Sequence, residues 1–97
     1  VEEIMAEKVR AVIYSGAPRH LYDLDYLFAK QIPLNPDMVR VKISLYGEDF
    51  SIERFGKSTE GMKRDWAKDL APLLPQDPPP FSSVSANVLR KMSEMMG

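Results

Sequence analysis

Cysteine is absent from this 97-residue chain, which excludes a disulfide framework and any thiolate metal site. Histidine occurs once, so a zinc site would have to draw most of its ligands from carboxylates, a poor match for that ion. No apolar run approaches the ~20 residues needed to cross a bilayer. No signal peptide is visible either, so the expectation is a cytoplasmic protein with no membrane partner. An excess of either charge is also missing: 13 Lys and Arg stand against 14 Asp and Glu, a formal net charge of −1. That balance excludes a generally basic nucleic-acid binder but leaves room for a local basic patch. There is no Gly-rich phosphate loop, no HExxH and no G-x-S-x-G, and Gly61-Met62-Lys63 lacks the upstream glycine of a P-loop.

What is present is an ordinary globular mixture, 44% hydrophobic and 28% charged. The length allows one domain with a modest core, so residues 1–97 are expected to form a single helical domain. The chain opens at Val1 without a methionine, which suggests a processed product or a piece of something longer.

Apolar periodicity predicts an all-α bundle of five or six short helices. The first, from Glu2 to Tyr14, places Ile4, Met5, Val9, Val12 and Ile13 on one face and Glu3, Glu7 and Arg10 on the other. Gly16 stops it and Pro18 opens the second, which runs to Lys30 with a Leu21, Leu24 and Phe28 stripe. Gln31-Ile32-Pro33 ends that helix, since a residue preceding proline avoids the helical region. Asn35-Pro36 reads as an N-cap followed by a first-turn proline. Residues 38–46 fit two periods: Val39, Val41, Ile43 and Leu45 alternate as in a strand, but Val39, Ile43 and Tyr46, or Met38, Val41 and Leu45, fit a helix. A lone strand would have no partner, so helix is the expectation. Ile52 and Phe55 suggest a short turn ended by Gly56. Ser58 or Thr59 then caps a helix carrying Met62, Trp66, Leu70, Leu73 and Leu74. Pro78-Pro79-Pro80 is a stiff connector, and a last helix begins near Ser82.

Lys8 stands at the border of the apolar face of the first helix, where a lysine must snorkel, pair with an acid or meet a ligand. On the second helix Arg19, Asp23, Tyr26 and Lys30 share a side away from the leucine stripe. Their bland reading is an exposed ion pair with half-buried tyrosines; their functional reading is the wall of a site. Two helices with a short joint pack antiparallel, which directs Lys8 towards Asp23 or Tyr26. His20 titrates near neutrality, but a lone histidine outside a recognisable dyad is more often structural. Trp66 reads as core.

Two strings then point further. Glu7-Lys8-Val9-Arg10-Ala11-Val12, followed by Pro18-Arg19-His20-Leu21-Tyr22-Asp23-Leu24, resembles the "EK-L-x-A-L … R-[DH]-L-Y-D-L" stretch of the AbiEii/AbiGii family. Trp66-Ala67-Lys68-Asp69-Leu70, Leu73-Leu74-Pro75 and Pro80-Phe81 are similar to that family's "W-x-x-D-L-x-x-L-L … P-F" ending. These are nucleotidyltransferase-like proteins that include toxins of abortive-infection, type IV toxin–antitoxin systems. The resemblance implies the helical C-terminal half of such a protein, behind an N-terminal half that supplies a Gly-rich turn and an Asp-x-Asp pair. It implies Lys8 and Asp23 as catalytic residues, with Arg19 beside them and no metal ligand within the chain; Lys8, Arg19 and, from its place on the same side of the second helix, Tyr26 are the expected nucleotide-binding residues. Mg²⁺ and an NTP are the implied cofactor and substrate of the intact protein, an RNA acceptor and an antitoxin its implied partners. Asp23-Leu24-Asp25 has the Asp-x-Asp spacing, but within a helix its carboxylates diverge. This half alone is therefore expected to be inactive.

Two other classes of function compete with this reading. One is a stand-alone helical interaction module, in which Lys8 and Asp23 form only a structural ion pair. The other is direct RNA binding through Arg10, Arg19, Lys30, Arg40 and Lys42, against which the net charge argues.

Overall fold

Proline, glycine and small polar caps divide the chain into helices, and a computed structural model describes residues 2–97 of it. The order is α1 (Glu2–Tyr14), α2 (Pro18–Ala29), α3 (Pro36–Ser44), α4 (Ile52–Glu60), α5 (Trp66–Leu70), a 3-10 turn (Ala71–Leu73) and α6 (Phe81–Met96). Among the described residues there is no strand, and the fold is the expected all-α bundle. The 38–46 stretch is helical to Ser44 and then turns: Val39 and Ile43 are buried, whereas Val41 and Leu45 are 60% and 80% exposed. A strand would have put all four on one face. Asn35 caps this helix, accepting hydrogen bonds from the Asp37 and Met38 N–H groups.

Helix α1 is the hub, packed against α2, α3 and α4, while α6 lies on α2 and α4 and α5 rests on α2. Its Met5, Val9 and Val12 meet Leu21, Leu24, Phe55, Val88 and Met92 in one core. Ile4, expected on the apolar face, is 52% exposed, and Ala6 is buried instead. With helices on three sides, the buried arc of α1 turns to Met5, Ala6 and Val9, away from the open quadrant at Ile4.

The middle of the chain departs most from its sequence pattern. Helix α4 begins at Ser51, whose hydroxyl accepts from the Arg54 N–H, and runs through Gly56 to Glu60. Helical glycine costs ~1 kcal/mol relative to alanine, and the burial of Phe55 and Thr59 on either side of Gly56 offsets it. Ser58 and Thr59 are therefore interior residues, not caps: Thr59 Oγ1 donates to the Gly56 carbonyl at 2.8 Å and Ser58 Oγ to the Ile13 carbonyl. The helix expected from there to Leu74 is replaced by turns, the short α5 and the 3-10 turn. Met62, Trp66 and Leu70 are buried as their spacing requires, but Leu73 is 60% exposed. Pro72, which has no N–H to donate, sits where the α-helical ladder gives way. Trp66 is core, edge-on to Phe81 with ring centroids 5.4 Å apart, and its indole N–H donates to the Pro79 carbonyl at 2.8 Å. The proline connector is thus anchored to the core, and α6 begins at Phe81.

The ends of α1 and α2 need the left-handed conformation. Gly16 takes it at φ 72° after α1. After α2 it falls to Gln31, at φ 62°, in a Schellman arrangement: the Gln31 N–H bonds the Phe28 carbonyl and the Ile32 N–H the Leu27 carbonyl. The helix ends at this motif, ahead of Pro33.

Candidate functional site

The antiparallel pairing of α1 and α2 brings Lys8 to Asp23. Lys8 Nζ donates to Asp23 Oδ2 at 2.8 Å, and the two side chains are 27% and 41% exposed. This pair is held from both ends. Val9 and Val12 fix the face of α1 and Leu21 and Leu24 that of α2, all fully buried. Half-exposure leaves the outer side of both charges accessible, so each can meet a further group without leaving the other.

His20 precedes Asp23 by one turn, and its Nδ1 is buried with no hydrogen-bond partner among the described residues. Burial lowers its pKa from 6.5, and the positive charges of Lys8 and Arg19 lower it further, with Asp23 opposing. It is therefore neutral at pH 7, as a structural histidine would be. Arg19 is exposed, and none of the ion pairs among the described residues includes it. Tyr26 is 53% exposed and carries the Lys30 ammonium over its ring at 5.4 Å. Of the four predicted residues the structure joins Lys8 and Asp23. Arg19 and Tyr26 flank Asp23 along α2, where neither contacts Lys8 by hydrogen bond.

The remaining basic residues separate by environment. Lys42 pairs with Glu3 and Glu7 at 2.7 and 3.2 Å, and Arg10 pairs with Glu7 at 2.5 Å and donates to Tyr46. Arg40 lies beside Asp37. Arg54 pairs with Glu48 at 2.5 Å and covers the Tyr14 ring, which is stacked on Tyr46 with centroids 3.7 Å apart. Glu48 also accepts from the Tyr14 hydroxyl, and this bond, followed by Arg54, holds its carboxyl below the usual range. Glu7 is lowered by its bond from Arg10 and then by Lys42. Three of the five residues considered for direct RNA binding are thus neutralised locally, and Lys30 is turned onto a tyrosine.

Sequence reasoning missed the cleft beside Arg19. Between the start of α2 and α5 lies a cavity of about 520 Å³ that Arg19 shares with Lys68, Asp69, Pro72 and Leu73. Its only signal in the sequence is the Trp66–Leu70 string, where Lys68 has no evident link to Arg19.

The residues do not fit a metal. Among the described residues no group of three or more His, Asp or Glu side chains converges, and the Asp23 carboxylate is occupied by an ammonium. No described helix is long and apolar enough to cross a membrane.

A family model described as nucleotidyl transferase AbiEii toxin, type IV TA system, matches residues 1–87. No curated protein and no solved structure matches.

Proposed function

The chain belongs to the AbiEii nucleotidyltransferase toxin family, and from that premise we propose that Lys8 and Asp23 face the nucleotide in a nucleotidyl-transfer reaction. The observation that carries this reading is the 2.8 Å contact between them, made across two helices and left open on its outer side. A lysine whose stem is packed and whose ammonium is oriented by a carboxylate suits a phosphate oxygen, because it brings a compact charge without a mobile arm. Asp23 orients that ammonium, and in this reading its second oxygen, which the Lys8 contact does not use, takes the proton of an attacking hydroxyl. Arg19 and Tyr26, one turn to either side of Asp23, flank the nucleotide.

Mg²⁺ has no ligand set among the described residues. We assign it, with the Asp-x-Asp pair, to an N-terminal nucleotidyltransferase half acting with this helical one. The proposed reaction takes an NTP as donor and RNA as acceptor in the cytoplasm. An antitoxin protein is the counterpart that a type IV toxin–antitoxin system supplies.

The test is transfer of label from α-labelled NTPs by the protein translated from its complete reading frame. Lys8→Ala and Asp23→Asn should each abolish transfer while the melting temperature stays near that of the parent. Transfer that survives both substitutions, with only the melting temperature changed, would reduce the pair to a structural ion pair within an interaction module.

A further inference from the structure

We propose that the cleft between the start of α2 and α5 binds a nucleotide phosphate, with Arg19 and Lys68 as its two cationic walls. The inference rests on the reading of Lys8 and Asp23 as a nucleotide-facing pair and extends that site by one turn of α2, about 6 Å.

Charge without an internal partner is the first argument. On the α1–α3 side each guanidinium or ammonium named above sits against a carboxylate. At the cleft Arg19 has no such partner among the described residues. Lys68 has only Asp65, one turn back, at 3.8 Å and with 79% of the lysine side chain exposed. A contact so long and so exposed contributes little and yields readily to a ligand.

Convergence is the second argument. Arg19 and Lys68 lie 49 positions apart in the chain, yet line one concavity. One presents a planar fork and the other a mobile point charge, the two complementary ways in which side chains hold phosphate oxygens. The rest of the wall suits the remainder of a nucleotide. Pro72 and Leu73 offer an apolar surface, and Leu73 is 60% exposed with no neighbour to cover it. Asp69, which repels phosphate, can accept a hydrogen bond from a ribose hydroxyl, so the cleft should prefer a nucleotide over an inorganic anion.

The phosphate has two possible sources, the tail of a free nucleoside triphosphate and the backbone of an RNA. The experiment titrates the ¹⁵N-labelled chain, followed by its amide spectrum, with inorganic tripolyphosphate, a ribonucleoside triphosphate and a short single-stranded oligoribonucleotide. Saturable shifts are expected around Arg19 and across Lys68 to Leu73, and Arg19→Gln and Lys68→Gln should each weaken binding by about fivefold. Both side chains are exposed, so both variants should keep the parent spectrum away from the cleft. Tightest binding of the oligoribonucleotide, falling steeply with salt, identifies the backbone as source; tightest binding of the triphosphate identifies the free nucleotide. Absence of saturable shifts at these residues, or parent affinity in both variants, overturns the proposal. Its failure is separable from that of the parent reading. Lys8→Ala and Asp23→Asn that abolish transfer beside a silent cleft sink only the cleft. Cleft binding beside unimpaired transfer in those variants sinks only the catalytic pair.

Discussion

Two sides of this small bundle treat the same residue types differently. Where α1 meets α3 and the loop into α4, Arg10, Lys42 and Arg54 are each bound to glutamates, and the stacked Tyr14 and Tyr46 lie among them. Where α2 meets α5, Arg19 has no ion-pair partner among the described residues and Lys68 has only the long, exposed contact to Asp65, with Asp69 in the same open cleft. On the first side charge serves the fold, and a ligand would have to break existing pairs to use it. On the second Arg19 is unpaired among the described residues and Lys68 is held only loosely, next to the Lys8–Asp23 pair. Net charge near zero hides this division, because it sums what the structure separates.

Phe55 gives the largest way to break the comparison. It is fully buried where α4 enters the shared core, so Phe55→Ala should cost about 3–5 kcal/mol in a denaturant titration. Both sides should then unfold in a single transition, since one core supports them. Separate transitions would mean that the two sides are independent units. Single-charge changes come next. Lys42→Ala removes the partner of two glutamates and should lower the denaturation midpoint more than Lys68→Ala does. Lys68→Ala should stay within about 0.5 kcal/mol of the parent, since its only ion pair is a long and exposed one. Equal losses at both positions would contradict the division of roles.

The smallest effects are in pH dependence, and the two sides should show them in different windows. Folded His20 has a pKa below 6.5, so the unfolded chain binds the extra proton first. Its contribution is complete above 6.5 and is lost as pH falls through the lower, folded value. Glu7 and Glu48 have folded pKa values below 4.5. Their contribution is complete above 4.5 and is lost only under stronger acid. His20→Asn should remove the upper step from a stability–pH curve and leave the lower one, and Glu48→Gln should weaken the lower one alone. An upper step that persists without His20 would show that another group produces it.

Much of the architecture was legible in the chain. Helices α1 (Glu2–Tyr14), α2 (Pro18–Ala29) and α3 (Pro36–Ser44) follow from apolar spacing, from two first-turn prolines and from the Asn35 cap, all of which act within a few residues. Lys8 and Asp23 were legible too, because a short joint forces two helices antiparallel and because the family strings name both positions. The 51–74 region was not. Gly56 and Thr59 look like a stop and a cap, yet burial of Phe55 and Thr59 against the bundle overrides both local signals. Ile4 failed for the same reason, since periodicity gives the width of an apolar face but not which part of it its neighbours cover.

By itself, then, the sequence determined what short-range forces decide: which segments of the first half are helical, where they begin, and that a tight helical joint would turn Lys8 towards Asp23 or Tyr26. Only the tertiary structure decided which charges are consumed and which are left free. Glu3, Glu7 and Lys42 could each have faced water, and their pairing depends on how α3 settles on α1. Arg19 and Lys68 meet at one cleft only because α5 docks on α2. Ion pairing is a matter of a few ångströms between residues far apart in the chain, and the packed core alone sets those distances.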